Sequence, residues 1–69
     1  MEADGMLLEI TRIHNYVVTM SLFQNMYVVR GGIVNSPPRE EYVYSMLADV
    51  EKHYNRLVHA YREALSQER

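Results

Sequence analysis

The chain has no cysteine and no tryptophan in its 69 residues, and it holds only two prolines, three glycines and one phenylalanine. Without cysteine, disulfides and thiolate metal sites are both excluded. Lysine is nearly absent too, since Lys52 is the only one among seven basic residues. Excess positive charge is also missing: the formal net charge is −2, which gives no general attraction to nucleic acid or to an anionic membrane. Long apolar runs are lacking as well. The longest, positions 16–29, contains Gln24 and Asn25 and falls short of the roughly 20 apolar residues that a bilayer span needs. The start, Met1-Glu-Ala-Asp-Gly5, is acidic where a secretory leader needs positive charge before an apolar run. These absences set the expectation of a cytoplasmic protein with no membrane partner.

What is present is a high hydrophobic content, 48%, with an ordinary 23% of charged residues, which argues against disorder. A chain of this length allows one domain, 1–69, whose core rarely supplies more than about 3–5 kcal/mol. Small proteins usually need a staple, and with disulfides excluded, oligomerisation is the one left.

Gly31-Gly32-Ile-Val-Asn-Ser-Pro-Pro38 is the strongest punctuation and divides the chain into two segments. In the second, Ser36 suits a helix N-cap, Pro37 a first helical position, and Glu40 and Glu41 the positive end of the helix dipole. Val43, Leu47, Val50, Tyr54, Leu57, Tyr61 and Ala64 then recur at alternating intervals of four and three, a heptad seam. The first segment has a comparable seam in Met6, Ile10, Ile13, Val17, Met20, Gln24 and Tyr27. Opposite it, Leu8, Val18, Leu22, Met26 and Val29 form a second apolar stripe. A helix apolar nearly all round must be buried nearly all round. The expected architecture is therefore all-α: an antiparallel two-helix hairpin (helix about 5–30, loop 31–37, helix about 38–67). Two copies would pair as a four-helix bundle through Leu8, Val18, Leu22, Met26 and Val29. A rival reads Tyr27–Val34 as two short strands about a glycine turn, which its β-branched residues favour.

Chemistry-bearing patterns are sparse. His53 and His59 are six apart, where a helical metal pair needs three or four, and His14 falls on the other flank of the seam, so no metal site is expected. Glu40 and Glu41, as helix neighbours, would project about 100° apart and form no acid–base pair. Gly31-Gly32 lacks the length and the following lysine of a phosphate loop. No catalytic residue, cofactor or metal ligand is expected, and the chain does not read as an enzyme. Gln24, as a polar residue in a seam, would fix register or reach solvent near the loop. Tyr54 and Tyr61 suit a core with wet hydroxyls, while Tyr42 and Tyr44 flank it and suit a partner surface. Lys52, Arg56, His59 and Arg62 line the wet face of the second segment, with Asp49 and Glu63 nearby to offset them.

The helix–loop–helix plan resembles the Rop type of plasmid copy-control hairpin dimer, which implies RNA binding through such a basic ridge. Tyr54-x-x-Leu57-Val58-x-x-Tyr61 resembles the second helix of the hairpin phosphatases that act on sporulation response regulators. Their Ser-Gln-Glu-Leu-Asp signature is here Glu51-Lys-His-Tyr-Asn55, and an amide at Asn55 replaces the carboxylate, so that activity is not carried over. The expected function is a small non-catalytic interaction, assembly or regulatory protein acting as a homodimer through helix–helix association. The alternatives are a Rop-like nucleic-acid regulator using Lys52, Arg56 and Arg62, or a small subunit of a hetero-complex with a protein partner.

Overall fold

The computed structural model describes residues 5–67; the acidic start, residues 1–4, lies outside them. The fold is α+β. Four strands, β1 (Gly5–Ile13), β2 (Tyr16–Phe23), β3 (Met26–Ile33) and β4 (Pro38–Tyr44), precede one helix, α1 (Leu47–Gln67). The strands form an antiparallel sheet in the order β1-β2-β3-β4, and α1 lies across one face of it.

The all-α hairpin and the four-helix bundle are thereby overturned, and the expected first helix is three strands. Its residues are β-branched to an unusual degree: Ile10, Thr11, Ile13, Val17, Val18, Thr19, Val28 and Val29 fit a pleated surface better than a helical one. The apparent heptad arose because apolar residues point to both faces of the sheet. Any period finds a match in so dense a pattern.

The turns enforce the meander. The β1–β2 hairpin closes through His14 and Asn15, with His14 at φ 57. Gln24 and Asn25 close β2–β3 with φ 51 and 65, positive at both central positions as in a type I′ turn. Gln24 therefore sits at a turn, and its expected place in a helical seam is withdrawn. In the β3–β4 connection Asn35 has φ 65, and the Ser36 N–H donates to the Ile33 carbonyl at 3.1 Å. Gly31 and Gly32, expected to end a helix, lie inside β3. The rival hairpin placed its turn there too, whereas Met26–Ile33 runs as one strand.

The second expected helix survives in shortened form. Residues 38–44 are β4, so Pro37, Glu40 and Glu41 have no place at a helix start, and α1 begins at Leu47. Val50, Tyr54, Leu57, Val58 and Tyr61 are its buried residues. They pack on Ile13, Val18, Met20 and Val29, with Tyr16, Tyr27, Tyr44 and Leu65 at the margin. Val18, Val29 and Val50 are fully enclosed, each burial contributing roughly 1.5–3 kcal/mol.

Candidate functional site

Register and alternation divide the side chains of the sheet. Ile13, Thr11 and Glu9 of β1 align with Tyr16, Val18 and Met20 of β2; Gly31 and Val29 of β3 and Glu40 and Tyr42 of β4 complete those rows. This is the face beneath α1. Ile10, Thr19, Arg30 and Glu41 form a row on the opposite face, with Leu7, Ser21, Val28 and Val43 in the next and Phe23 and Met26 beside the turn. Among the described residues no element lies over that face.

The seam between α1 and β4 holds the densest polar chemistry. Glu40 accepts hydrogen bonds from the Tyr42 hydroxyl at 2.8 Å and from the Tyr61 hydroxyl. Tyr61 stacks on Tyr16 at 5.1 Å and lies over Gly31, where an added Cβ would stand 2.8 Å from its ring. The His53 ring packs at a tilt against Tyr42, with centroids 4.2 Å apart, and its Nδ1 shares a hydrogen bond with the Tyr44 hydroxyl. On the other flank Tyr54 shares a hydrogen bond with Thr11 Oγ1.

These environments keep the phenols protonated. Burial pushes Tyr61 well above its ordinary value, and the Glu40 carboxylate adds to the shift. Tyr42 is raised chiefly by its hydrogen bond to Glu40. Tyr54 is raised by burial, against the opposing effect of the Thr11 bond. A protonated phenol donates but does not attack, and both Glu40 oxygens are already engaged. The cluster latches the helix to β4.

Other chemistry is equally limited. His14 is in an exposed turn, His59 is exposed and 3.7 Å from Glu63, and His53 is in the tyrosine seam. Among the described residues no three potential ligands cluster to hold a metal ion. A notch of about 130 Å³ between Val17, Thr19, Arg30, Gly32 and Pro38 is smaller than the roughly 300–1,000 Å³ of small-molecule sites. The larger groove beside Arg39 and Glu40, about 510 Å³, includes Arg30 and Glu41, which neutralise one another in an ion pair. No helix of the described residues is long and apolar enough to cross a membrane.

The expected interface residues separate. Val18 and Val29 are at 0% exposure beneath the chain's own helix, and Leu22 is half-buried on that same face. Leu8 and Met26 remain exposed, Leu8 at a bulge where the register shifts between Leu7 and Glu9. Lys52, Arg56, His59 and Arg62 are all exposed on the outer side of α1, and Glu63 shares that side.

The exposed apolar surface is larger than the sequence pattern marks. On β1, Met6, Leu7 and Ile10 are 59%, 56% and 57% exposed, although Met6 lies on the helix side and Leu7 and Ile10 on the other. Phe23, Val43, Met46 and Leu47 extend this surface round the β2–β3 end of the sheet. The β-branched residues Ile10, Thr11 and Ile13 were the signal in β1 that favours a strand over a helix.

No protein-family model matches the chain, and no curated protein or solved structure matches it either.

Proposed function

We propose that this chain is a small non-catalytic interaction or assembly protein, and that it works as an oligomer in which a second copy covers the surface its single helix leaves open. The observation that carries this reading is the exposure of β1 on both sides, joined to an apolar open face at Leu7, Ile10, Phe23, Met26 and Val43. Soluble monomers rarely leave so continuous an apolar patch in water. The Arg30–Glu41 ion pair on the open face is satisfied internally and offers little charge to repel another copy. The helix–helix contact expected from the sequence is replaced by a contact through the sheet.

Light scattering after size exclusion tests this. The wild-type chain is expected to run as an oligomer at micromolar concentration, Ile10→Glu to lower the mass, and Lys52→Glu, on the outer side of α1, to leave it unchanged. A folded wild-type monomer would sink the reading.

A second reading rests on the exposed row Lys52, Arg56, His59 and Arg62. Binding of nucleic acid there would weaken steeply with salt, and Arg56→Gln would lower the slope by about one. Glu63 and Asp49 on the same exposed side argue against it, and absence of RNA or DNA binding at low salt would remove it.

A further inference from the structure

Residues on both faces of one edge strand can be covered together only by something that comes round the edge. β1 presents that situation, because Met6, Leu7, Leu8, Glu9 and Ile10 are all exposed whichever face they point to. The other edge is blunted. β4 opens with Pro38 and continues with Arg39, Glu40 and Glu41, a proline and charges of the kind that discourage strand addition. The β1 edge has no proline, and its charges are confined to Glu9 and Arg12.

The hairpin geometry shows which backbone groups of β1 are free. A two-residue turn between Ile13 and Tyr16 makes that pair the hydrogen-bonded one, and the alternation continues through Thr11 and Glu9. Ile10 and Arg12 therefore direct their N–H and C=O groups away from β2, toward the open edge.

We propose that β1 pairs antiparallel with β1 of a second copy, about a two-fold axis through Ile10, joining four strands from each copy into one sheet of eight. The inference rests on the assembly reading above and specifies its contact at the β1 edge; Phe23, Met26 and Val43 lie outside that contact. Charge selects the register. A two-fold axis through Glu9 or through Arg12 would set like charges directly opposite each other, which is destabilising. An axis through Ile10 sets the exposed Ile10 against the partner's Ile10 in a hydrogen-bonded pair and places Glu9 opposite the partner's Thr11. An axis through Thr11 would set Ile10 opposite the partner's Arg12 and leave the exposed isoleucine without an apolar neighbour across the edge. The bulge at Leu8 ends the regular ladder on the near side. The two-fold axis runs perpendicular to the sheet, so both helices lie on the same side of it. The contact is isologous and closes at two copies.

Amide hydrogen exchange on the wild-type chain, read by NMR at high concentration and after about 100-fold dilution, tests the contact directly. The Ile10 amide is expected to exchange at least about tenfold more slowly in the concentrated sample. Thr11, bonded to β2 in either state, serves as the internal reference. Ile10→Pro removes the outward N–H without touching the ladder to β2, and should weaken association while leaving the circular dichroism of the fold unchanged. If that variant fails to fold, the wild-type exchange data decide. A dimer that dissociates on dilution while the Ile10 amide exchanges as fast in the dimer as in the monomer overturns the edge pairing and leaves the assembly reading intact. A wild-type monomer at every concentration overturns both.

Discussion

A methyl group placed on Gly31 would stand 2.8 Å from Tyr61 Cε2 and 3.1 Å from Leu57 Cδ2. The glycine is therefore the seat on which the C-terminal half of α1 rests. Gly31→Ala should destabilise the fold by about 1–3 kcal/mol, since rings and methyls must shift to admit it. Gly5, where an added Cβ would meet Phe23 at an ordinary 3.5 Å, should tolerate alanine with little change. Urea midpoints for the two variants would make the comparison. Tyr61 also ties stability to alkaline pH. Its pKa in the folded state lies above the ordinary value of 10.0, through burial and the Glu40 carboxylate. The folded state thus holds its proton more tightly, and the associated stability is whole below pH 10 and lost as pH rises beyond it. Glu40→Gln, which removes the carboxylate charge, should make that alkaline loss shallower. Denaturant titrations across the alkaline range, with tyrosinate absorbance as the ionisation readout, would show it.

The elements differ in how plainly the sequence announces them. The helix was legible because Val50, Tyr54, Leu57 and Tyr61 recur on one side of it. Its start was not, because Val43 and Leu47 extend the same spacing backward. Yet Val43 lies in β4 and Leu47 is 44% exposed. Leu57→Ala should accordingly cost about 2–4 kcal/mol in chemical unfolding, while Leu47→Ala should cost a small fraction of that. The strands were masked by their own apolar density. Neither face of β1–β3 is polar enough to print a clean two-residue alternation over the whole segment, and a period near 3.5 then fits by chance. The better signal was punctuation: Asn15, Asn25 and Asn35 stand at intervals of ten, each in a turn between strands. Asparagine tolerates the left-handed backbone, and two of the three adopt it here, with neighbouring His14 and Gln24 doing the same. Glycine drew attention instead and pointed to the wrong place, since Gly31 and Gly32 serve close packing inside β3. Of the candidate surface, only Leu8 and Met26 were anticipated, because the stripe drawn on a helix takes residues from both faces of a sheet. The Gln24-Asn25 turn supplies its own test. Replacing it with Asn-Gly suits a type I′ turn better and should stabilise the fold by up to about 1 kcal/mol, measured as a raised unfolding midpoint.

Among the described residues one helix covers one face of a four-stranded sheet, and its largest fully enclosed side chains are three valines. A core of this size sits near the lower limit at which a chain of 69 residues folds alone. The exposed apolar surface of β1 and the open face is therefore available to support folding itself as well as association. If a second copy covers it, the folded state is the state that associates, and mass action makes stability depend on protein concentration. Each tenfold rise in concentration adds about 1.4 kcal/mol per dimer, or about 0.7 per protomer. With the unfolding entropy usual for a domain of this size, that is roughly a 3–6 °C rise in Tm per tenfold. A monomer would show no such dependence, so thermal scans over a hundredfold range separate the two. Ile10→Glu should abolish the concentration dependence and lower Tm at high concentration, because it leaves the protomer core intact but removes the partner's contribution. Leu57→Ala should lower Tm at every concentration and keep the slope, because it weakens the protomer core and leaves the β1 edge untouched.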